Sequence, residues 1–169
     1  MVKQNSPDLT FVRELLEQVL DPEVPALTIG DLGILRDVTL LSTGIFQITI
    51  TSTFTGCPAM RVIEDDISEV LKKEGINNFE IRTVLAPAWT TDWMTREGKK
   101  KLEAYGIAPP TQSTEQHLKA MLSGKKEKVA CPFCKSTNTR LTSAFGSTAC
   151  KALHYCDSCH QPFEEFKCH

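Results

Sequence analysis

The sequence has no long hydrophobic run, few aromatic residues and no strong excess of either charge. Its 169 residues are 41% hydrophobic, 24% charged and 7% aromatic, with a formal net charge of −2. No uncharged apolar stretch approaches the roughly 18–20 residues that a membrane helix needs, which excludes a transmembrane role. The length allows one ordinary domain and a small second module, since domains cluster near about 100–150 residues.

Signals for secretion and for common enzyme classes are also missing. The N-terminus lacks the apolar core and cleavage site of a secretory signal, which predicts a cytoplasmic protein. Outside the C-terminal segment the only histidine is His117, so a Ser-His-Asp or Cys-His group would have to be built across domains. Gly30-Asp31-Leu32-Gly33 lacks the third glycine and the preceding strand of a dinucleotide loop. An ordinary hydrolase or dinucleotide enzyme is therefore disfavoured.

The charges are divided unevenly along the chain. Residues 1–104 carry 11 Lys and Arg against 16 Asp and Glu, whereas residues 105–169 carry 8 against 5. A dedicated nucleic-acid domain has a pI above about 9, and a basic excess of three is far smaller. A nucleic-acid-binding tail is therefore the least favoured function.

The spacing of apolar residues predicts a small α+β domain. Helical spacing is followed by period-2 alternation, then by helical spacing and a final strand pattern. The predicted elements are a helix over 8–20, strands over 34–41 and 45–54, a helix over 58–73 and a strand over 79–84. Their order is α-β-β-α-β. A further helix is predicted over 90–105, ended by Gly106.

Cysteine is concentrated at the C-terminal end, where six of the seven lie in the last 39 residues. Cys131 and Cys134 form one C-x-x-C pair, Cys156 and Cys159 form another, and 21 residues separate the pairs. This spacing is typical of a zinc ribbon. Four thiolates leave no open position, which predicts a structural zinc ion. Rubredoxin-like iron is a less favoured occupant because no other electron-transfer feature accompanies it.

The cysteine pairs also set the predicted domain organisation. We expect an α/β domain with a tryptophan-containing extension over residues 1–104, a linker over 105–129 and the ribbon over 130–169. The linker could contain one short helix around residues 115–122. A segment of about 40 residues cannot bury enough surface to fold unaided, so metal binding would stabilise it.

Cys57 is a candidate reactive thiol. It lies in Thr55-Gly56-Cys57-Pro58, between a predicted strand and a helix. Proline suits the first helical position, which predicts Cys57 at the N-cap, where backbone N–H groups and the helix dipole favour a thiolate. The alternative is a buried, unreactive cysteine.

Other cysteines and two carboxylates could contribute to the same chemistry. Cys150 and Cys168 are either small buried apolar residues or, with Cys57, ligands of a second labile metal or cluster. Asp21 and Glu23 lie on a loop stiffened by prolines and could ligate a hard ion. The alternative for both carboxylates, as for Asp31, is a solvated acidic loop.

Two tryptophans are candidates for partner docking. Trp89 and Trp93 would be i,i+4 neighbours if their segment were helical. Tryptophan is enriched at binding hot spots, although a position in the core is the alternative.

Several strings of residues resemble known families. Asp21-Pro22-Glu23-Val24-Pro25, Ile29-Gly30-Asp31-Leu32-Gly33 and Gly56-Cys57-Pro58 resemble the signatures of iron–sulfur cluster assembly factors over about residues 8–86. The tryptophan segment, Tyr105-Gly106-Ile107-Ala108-Pro109-Pro110 and the ribbon with Phe145-Gly146-Ser147-Thr148-Ala149-Cys150-Lys151 extend the likeness. The whole chain resembles the PaaD family associated with bacterial phenylacetyl-CoA epoxidases.

The resemblance implies a non-catalytic accessory or maturation factor in phenylacetate catabolism. Its client would be the di-iron oxygenase subunit or the reductase that carries flavin and an iron–sulfur cluster. Cys57 corresponds to the motif cysteine of the assembly factors, and the paired cysteines correspond to the ribbon ligands. A transient cluster or iron ion on Cys57 is the implied cargo. A purely structural subunit of the epoxidase complex is the competing hypothesis, and the sequence leaves open whether the protein is a homo-oligomer.

Overall fold

The computed structural model describes residues 8–123 and 128–167, and the chain divides into two compact units between Trp89 and Thr90. No helix among these residues is both long and apolar enough to cross a bilayer.

The first unit contains two helices and a three-stranded sheet. Its elements are α1 (Leu9–Leu16), β1 (Leu35–Leu40), β2 (Phe46–Thr51), α2 (Ala59–Lys73) and β3 (Phe79–Val84). Strand β2 is central, antiparallel to β1 and parallel to β3. The crossover between the parallel strands contains α2, so the loop before α2 leaves the sheet at the carboxyl end of β2. The predicted α-β-β-α-β order is confirmed.

The core of this unit follows from the two periodicities in the sequence. Alternate residues of β2 are buried, and α2 buries one residue per turn. The fully buried apolar side chains of these two elements are Ile48, Ile50, Ile63, Ile67 and Leu71. Each contributes about 1.5–3 kcal/mol relative to an exposed position, which fixes α2 against the sheet.

The long loop between α1 and β1 is held beside the carboxyl end of β2. A β-bridge between Leu20 and Thr28 closes its first half. At its end, the Thr51 backbone N–H donates to the Ile34 carbonyl at 2.9 Å, and the Trp89 indole N–H donates to the Leu32 carbonyl at 2.9 Å. The acidic part of this loop and the loop before α2 are thereby anchored to the same edge of the sheet.

The second unit contains a four-stranded sheet and two short helices. A 3₁₀ turn (Thr91–Trp93) is followed by α3 (Arg96–Ala104), β4 (Ile107–Ala108), α4 (Thr114–Leu122), β5 (Thr139–Ser143), β6 (Lys151–Cys156) and β7 (Pro162–Phe166). The strand order is β4-β7-β6-β5. Strand β4 runs parallel to β7, and the other neighbours are antiparallel. Together with the cysteine cluster described below, this confirms the α+β fold class.

The single helix predicted over 90–105 is wrong in its first half. Met94 has an extended backbone, and Thr95 begins a new helix because its hydroxyl accepts a hydrogen bond from the Gly98 N–H at 2.9 Å. The end of the helix matches the prediction, since Gly106 has a φ of 91°.

The segment expected to be a linker, residues 105–129, contains both β4 and α4. Ile107 and Ala108 of β4 pair with Glu164 and Glu165 of β7, so this segment supplies an edge strand to the second unit. Two apolar residues are too few to show a strand period, and sequence patterning therefore missed β4.

Candidate metal centre and the Cys57 loop

Two tight turns bring the four paired cysteines together. In each turn the residue that follows the second cysteine is left-handed: Lys135 has a φ of 63° and His160 a φ of 59°. Each donates its backbone N–H to the carbonyl of the first cysteine of its pair, Cys131 or Cys156, at 2.9 Å. Left-handed backbone is uncommon for residues other than glycine, so its repetition marks two equivalent knuckles.

The distances between the sulfur atoms fit one tetrahedral metal ion. The Sγ atoms of Cys131 and Cys159 are 3.7 Å apart, those of Cys134 and Cys156 are 3.5 Å apart, and all four lie within 4.8 Å of one another. Metal–sulfur bonds of about 2.3 Å place tetrahedral thiolates about 3.8 Å apart. The donor set and its spacing therefore define a metal site without an open position.

The four thiols oppose one another's ionisation, so a cation among them would stabilise the thiolates. A backbone N–H from Cys159 is the main reason that the pKa of Cys156 is lowered to about 7. Burial and the neighbouring sulfurs raise the pKa of Cys159 to about 12. One thiolate thus opposes ionisation of its neighbour, and a bound cation would remove that opposition.

The surroundings of the metal site are apolar and are partly supplied by β4. Ala108, Phe163 and the two fully buried cysteines, Cys131 and Cys156, form one hydrophobic cluster. The hydroxyls of Ser136 and Ser158, one from each knuckle, lie 2.8 Å apart. These contacts fix the relative position of the knuckles.

Cys57 precedes the N-cap of α2, whereas the sequence predicts it at the N-cap itself. Pro58 is the N-cap of α2 and Ala59 is the first helical residue. The backbone N–H groups of Ala59 and Met60 still act on the Cys57 thiol and lower its pKa. The thiol is half-buried, so it is neither sealed in the core nor fully solvated.

The pKa of Cys57 is raised, which is opposite to the activated thiolate expected at a helix start. Burial is the largest cause, and the charges of Glu23 and Asp21 act in the same direction. The helix N–H groups lower the pKa but do not outweigh these effects. The sequence could not show that an acidic loop lies close enough to act on this thiol.

The acidic loop is internally ordered. Asp21 is 6% exposed, and its Oδ1 accepts hydrogen bonds from the N–H groups of Glu23 and Val24 at 2.9 and 2.7 Å. Asp31 is 8% exposed and exchanges two hydrogen bonds with Thr28. Glu23 is half-buried. The alternative of a solvated loop is therefore wrong for Asp21 and Asp31, whose carboxylates are buried and shape the loop.

The remaining candidates are buried, half-buried or outside the residues that the structure describes. Cys150 is 4% exposed, and its Sγ lies 3.0 Å from the Thr148 hydroxyl. Cys168 falls outside the described residues. Trp89 is 4% exposed, so its expected docking role is corrected to a core position. Trp93 is half-buried.

Sequence reasoning missed a group of charged residues in the ribbon. Lys151 and Glu164 form an ion pair at 3.5 Å with side chains that are 5% and 22% exposed. His154 Nε2 lies 2.8 Å from a carboxylate oxygen of Glu165. From the sequence alone these charged residues look like ordinary surface positions of two strands. Only the pairing of β6 with β7 brings their side chains together.

Comparison with known proteins assigns both halves of the chain. Residues 10–81 match the family described as iron-sulfur cluster assembly protein, and residues 115–167 match the PaaD zinc beta ribbon domain. A crystal structure of a domain of unknown function, DUF59, from Bacillus anthracis has 33% identity and a TM-score of 0.52. It covers 56% of this chain and 90% of that one. The class is thus an assembly-type α+β domain followed by a zinc-ribbon module.

Full-length similarity identifies the family. An Escherichia coli (strain K12) protein, provisionally named as the D-type subunit of 1,2-phenylacetyl-CoA epoxidase, is 45% identical over 96% of this chain and 94% of its own length. A Bacillus subtilis (strain 168) protein named Fe-S protein maturation auxiliary factor YitW is 38% identical over 50% of this chain and 82% of its own length. The chain belongs to the PaaD family of phenylacetyl-CoA epoxidase subunits, as the sequence resemblance predicted.

Proposed function

We propose that this protein is a non-catalytic maturation factor for a phenylacetyl-CoA epoxidase in phenylacetate catabolism. Its cargo would be an iron ion or an iron–sulfur cluster, and its clients the di-iron oxygenase subunit or the flavin and iron–sulfur reductase. The observation that carries the proposal is Cys57, half-buried at the start of α2 with the charges of Asp21 and Glu23 acting on its sulfur.

The electrostatics of this site suit a cationic cargo. Carboxylates that oppose a thiolate attract a metal cation, and the bound cation in turn favours the thiolate. In the loading step the S–H bond of Cys57 breaks, a sulfur–metal bond forms and the proton leaves to solvent, with no change of oxidation state. In the release step a stronger ligand set on the client displaces the sulfur, which takes up a proton.

Zinc is the proposed occupant of the four-cysteine site, where Cys131, Cys134, Cys156 and Cys159 would hold it. It would supply folding free energy to the second unit and no reactive position. We further propose that the protein works in the cytoplasm, because free thiols and labile clusters need a reducing compartment. No disulfide bond joins any of the six cysteines that the structure describes.

Substitution of Cys57 tests the proposal. Cells that produce the epoxidase with Cys57→Ser protein should show epoxidase activity and client iron content reduced by about tenfold or more. A Cys150→Ser variant provides the control for loss of a thiol elsewhere. Unchanged client iron and epoxidase activity with Cys57→Ser would overturn the proposed transfer of cargo and favour the structural-subunit alternative. Co-purification of this chain at fixed stoichiometry with an epoxidase that needs it for turnover would favour the same alternative.

A further inference from the structure

The loop between β5 and β6 has no role in the metal site or in the proposed function of Cys57. Residues 144–150 connect the two strands, and Phe145 within them is 67% exposed. Single exposed aromatic residues are common on protein surfaces, so exposure alone gives no function. The contacts that hold this loop are the relevant observation.

Glu164 of β7 holds the middle of the loop. Its carboxylate accepts hydrogen bonds from the Ser147 backbone N–H and, at 3.1 Å, from the Ser147 hydroxyl. The nearly buried Lys151 ammonium lies 3.5 Å from the same carboxylate. A side chain at Gly146 would place its Cβ 2.5 Å from Glu164 Oε1. Glu164 thus occupies the donors with which this loop could bind an anion, and phosphate binding is disfavoured.

The two ends of the loop are held as firmly. The Ser143 hydroxyl donates to the Phe145 carbonyl at 2.8 Å and accepts from the Phe145 N–H at 3.2 Å. Lys167 donates its backbone N–H to the Cys150 carbonyl at 2.9 Å and its Nζ to the Ala144 carbonyl at 3.2 Å. Its Nζ also lies 4.7 Å from the centroid of the Phe145 ring.

These contacts fix an aromatic side chain in solvent. Ordering a loop costs conformational entropy, and here the ordered loop presents Phe145 outward instead of burying it. Aromatic anchors on preorganised loops dominate many protein interfaces, because their ordering cost is met before binding. We infer that Phe145 and Lys167 form a docking site for a folded protein partner with an apolar pocket rimmed by carboxylates.

Charge selects the kind of partner. The Glu164 carboxylate beside the loop is neutralised by Lys151, whereas Lys167 has no acidic partner among the described side chains. The charges of Lys151, Glu164 and Lys167 together therefore leave one positive charge beside the ring. A carboxylate at the rim of the partner's pocket would pair with Lys167 at an exposed site, which sets orientation and association rate more than affinity. One ring and one cation are too few to anchor a protein on a membrane.

The inference rests on the proposed function for the identity of the partner, an epoxidase subunit. The test co-expresses the tagged full chain with the epoxidase subunits and measures the Kd of the isolated complex. Phe145→Ala should weaken binding by about 30-fold or more. Lys167→Glu should lower the association rate, most strongly at low salt. Tyr105→Ala, which removes another exposed aromatic residue of this unit (54% exposed), should leave binding unchanged.

Three results would overturn the docking site. These are unchanged affinity with Phe145→Ala, an equal loss with Tyr105→Ala, or Phe145-dependent sedimentation with anionic lipid vesicles in place of subunit binding. Zinc content and circular dichroism establish that each variant is folded. The Cys57→Ser variant separates the two proposals. If Phe145 forms the docking site, this variant should bind the epoxidase subunit normally, and if Cys57 carries the cargo, client iron should be low despite that binding.

Discussion

At the residue scale, burial and two neighbouring carboxylates oppose ionisation of the Cys57 thiol. Because the charge of Glu23 raises the pKa of Cys57, Glu23→Gln should lower that pKa. The thiolate fraction at pH 8 would increase, and alkylation by iodoacetamide should be faster. The rate is measured against pH for wild type, Glu23→Gln and Glu14→Gln, a control whose charge does not act on Cys57. A profile identical in all three proteins would contradict the described electrostatics.

Glu164 is the residue whose loss should most weaken the ribbon loop. Removing its charge leaves the Lys151 ammonium nearly buried without its ion-pair partner, so Glu164→Gln should reduce the free energy of unfolding by about 2 kcal/mol. This value is below that of a fully buried pair because Glu164 is 22% exposed. Urea unfolding of the metal-loaded chain measures the change. Asp157→Asn, which removes an exposed pair with Arg140, should cost less than about 1 kcal/mol.

The same carboxylate predicts how stability depends on pH. Burial raises the pKa of Glu164, but the Ser147 hydrogen bonds and the Lys151 charge outweigh it and lower the pKa below 4.5. A lowered native pKa means that the stabilisation is complete above the ordinary glutamate pKa and is lost as the pH falls through the native pKa. Wild type should therefore lose more stability than Glu164→Gln between pH 5 and about 3.

At the element scale, α2 and α3 each end at a glycine with a left-handed backbone, but the space around the two glycines differs. Gly75 after α2 has a φ of 77° and open space where a Cβ would lie; Gly106 after α3 has a φ of 91°, and its Cβ would lie 3.2 Å from the Phe133 ring. Gly75→Ala should cost about 1 kcal/mol from backbone strain alone. Gly106→Ala should cost more and disturb the first knuckle. Heating with a chromogenic zinc chelator should show earlier metal release for Gly106→Ala only.

The sequence predicted elements best where periodicity was long. Strand β3 matches its predicted range of 79–84, and α2 begins one residue after the predicted start at 58 and ends where predicted. The first half of the helix predicted over 90–105 was wrong because Thr95 forms a local cap that the apolar spacing does not show. Ion pairs such as Lys151 with Glu164 could not be predicted, since they depend on strand register.

The candidate sites were predicted to different depths. The spacing of two C-x-x-C pairs was enough to indicate one metal site, because the knuckle conformation is local. The direction of the Cys57 pKa shift was not predictable, because it depends on burial in the folded unit and on a loop more than 30 residues earlier in the chain. Residue spacing therefore predicts which cysteines bind a metal, but it does not predict how residues distant in sequence shift the pKa of a thiol.

At the scale of the whole molecule, metal removal should affect the two units differently. The first unit has its own apolar core, whereas the second is small and centred on four thiols. Chelation under reducing conditions should therefore remove amide hydrogen-exchange protection from β5, β6 and β7 and preserve it in β2 and α2. Equal loss of protection in both units would contradict independent cores. Acid should mimic the chelator, because protonated thiols release the metal.

The extent of the metal-binding module is a second prediction at this scale. We propose that residues 90–169 fold as one unit with metal, whereas residues 130–169 lack β4 and the Ala108 contact. Loss of the buried Ile107 and Ala108 should cost about 2 kcal/mol, or about 30-fold in zinc affinity. Competition with a chelator of known affinity measures both fragments. Equal affinity would place the start of the module at residue 130.

The parallel pairing of β4 with β7 has a consequence for the order of events during synthesis. Strand β4 leaves the ribosome more than 50 residues before β7, and all four sulfur ligands precede β7 in the chain. Strand β4 therefore stays without its partner until the end of the ribbon has been made. Two residues separate Cys159 from the start of β7, so the last ligand and the strand that pairs with β4 become available almost together.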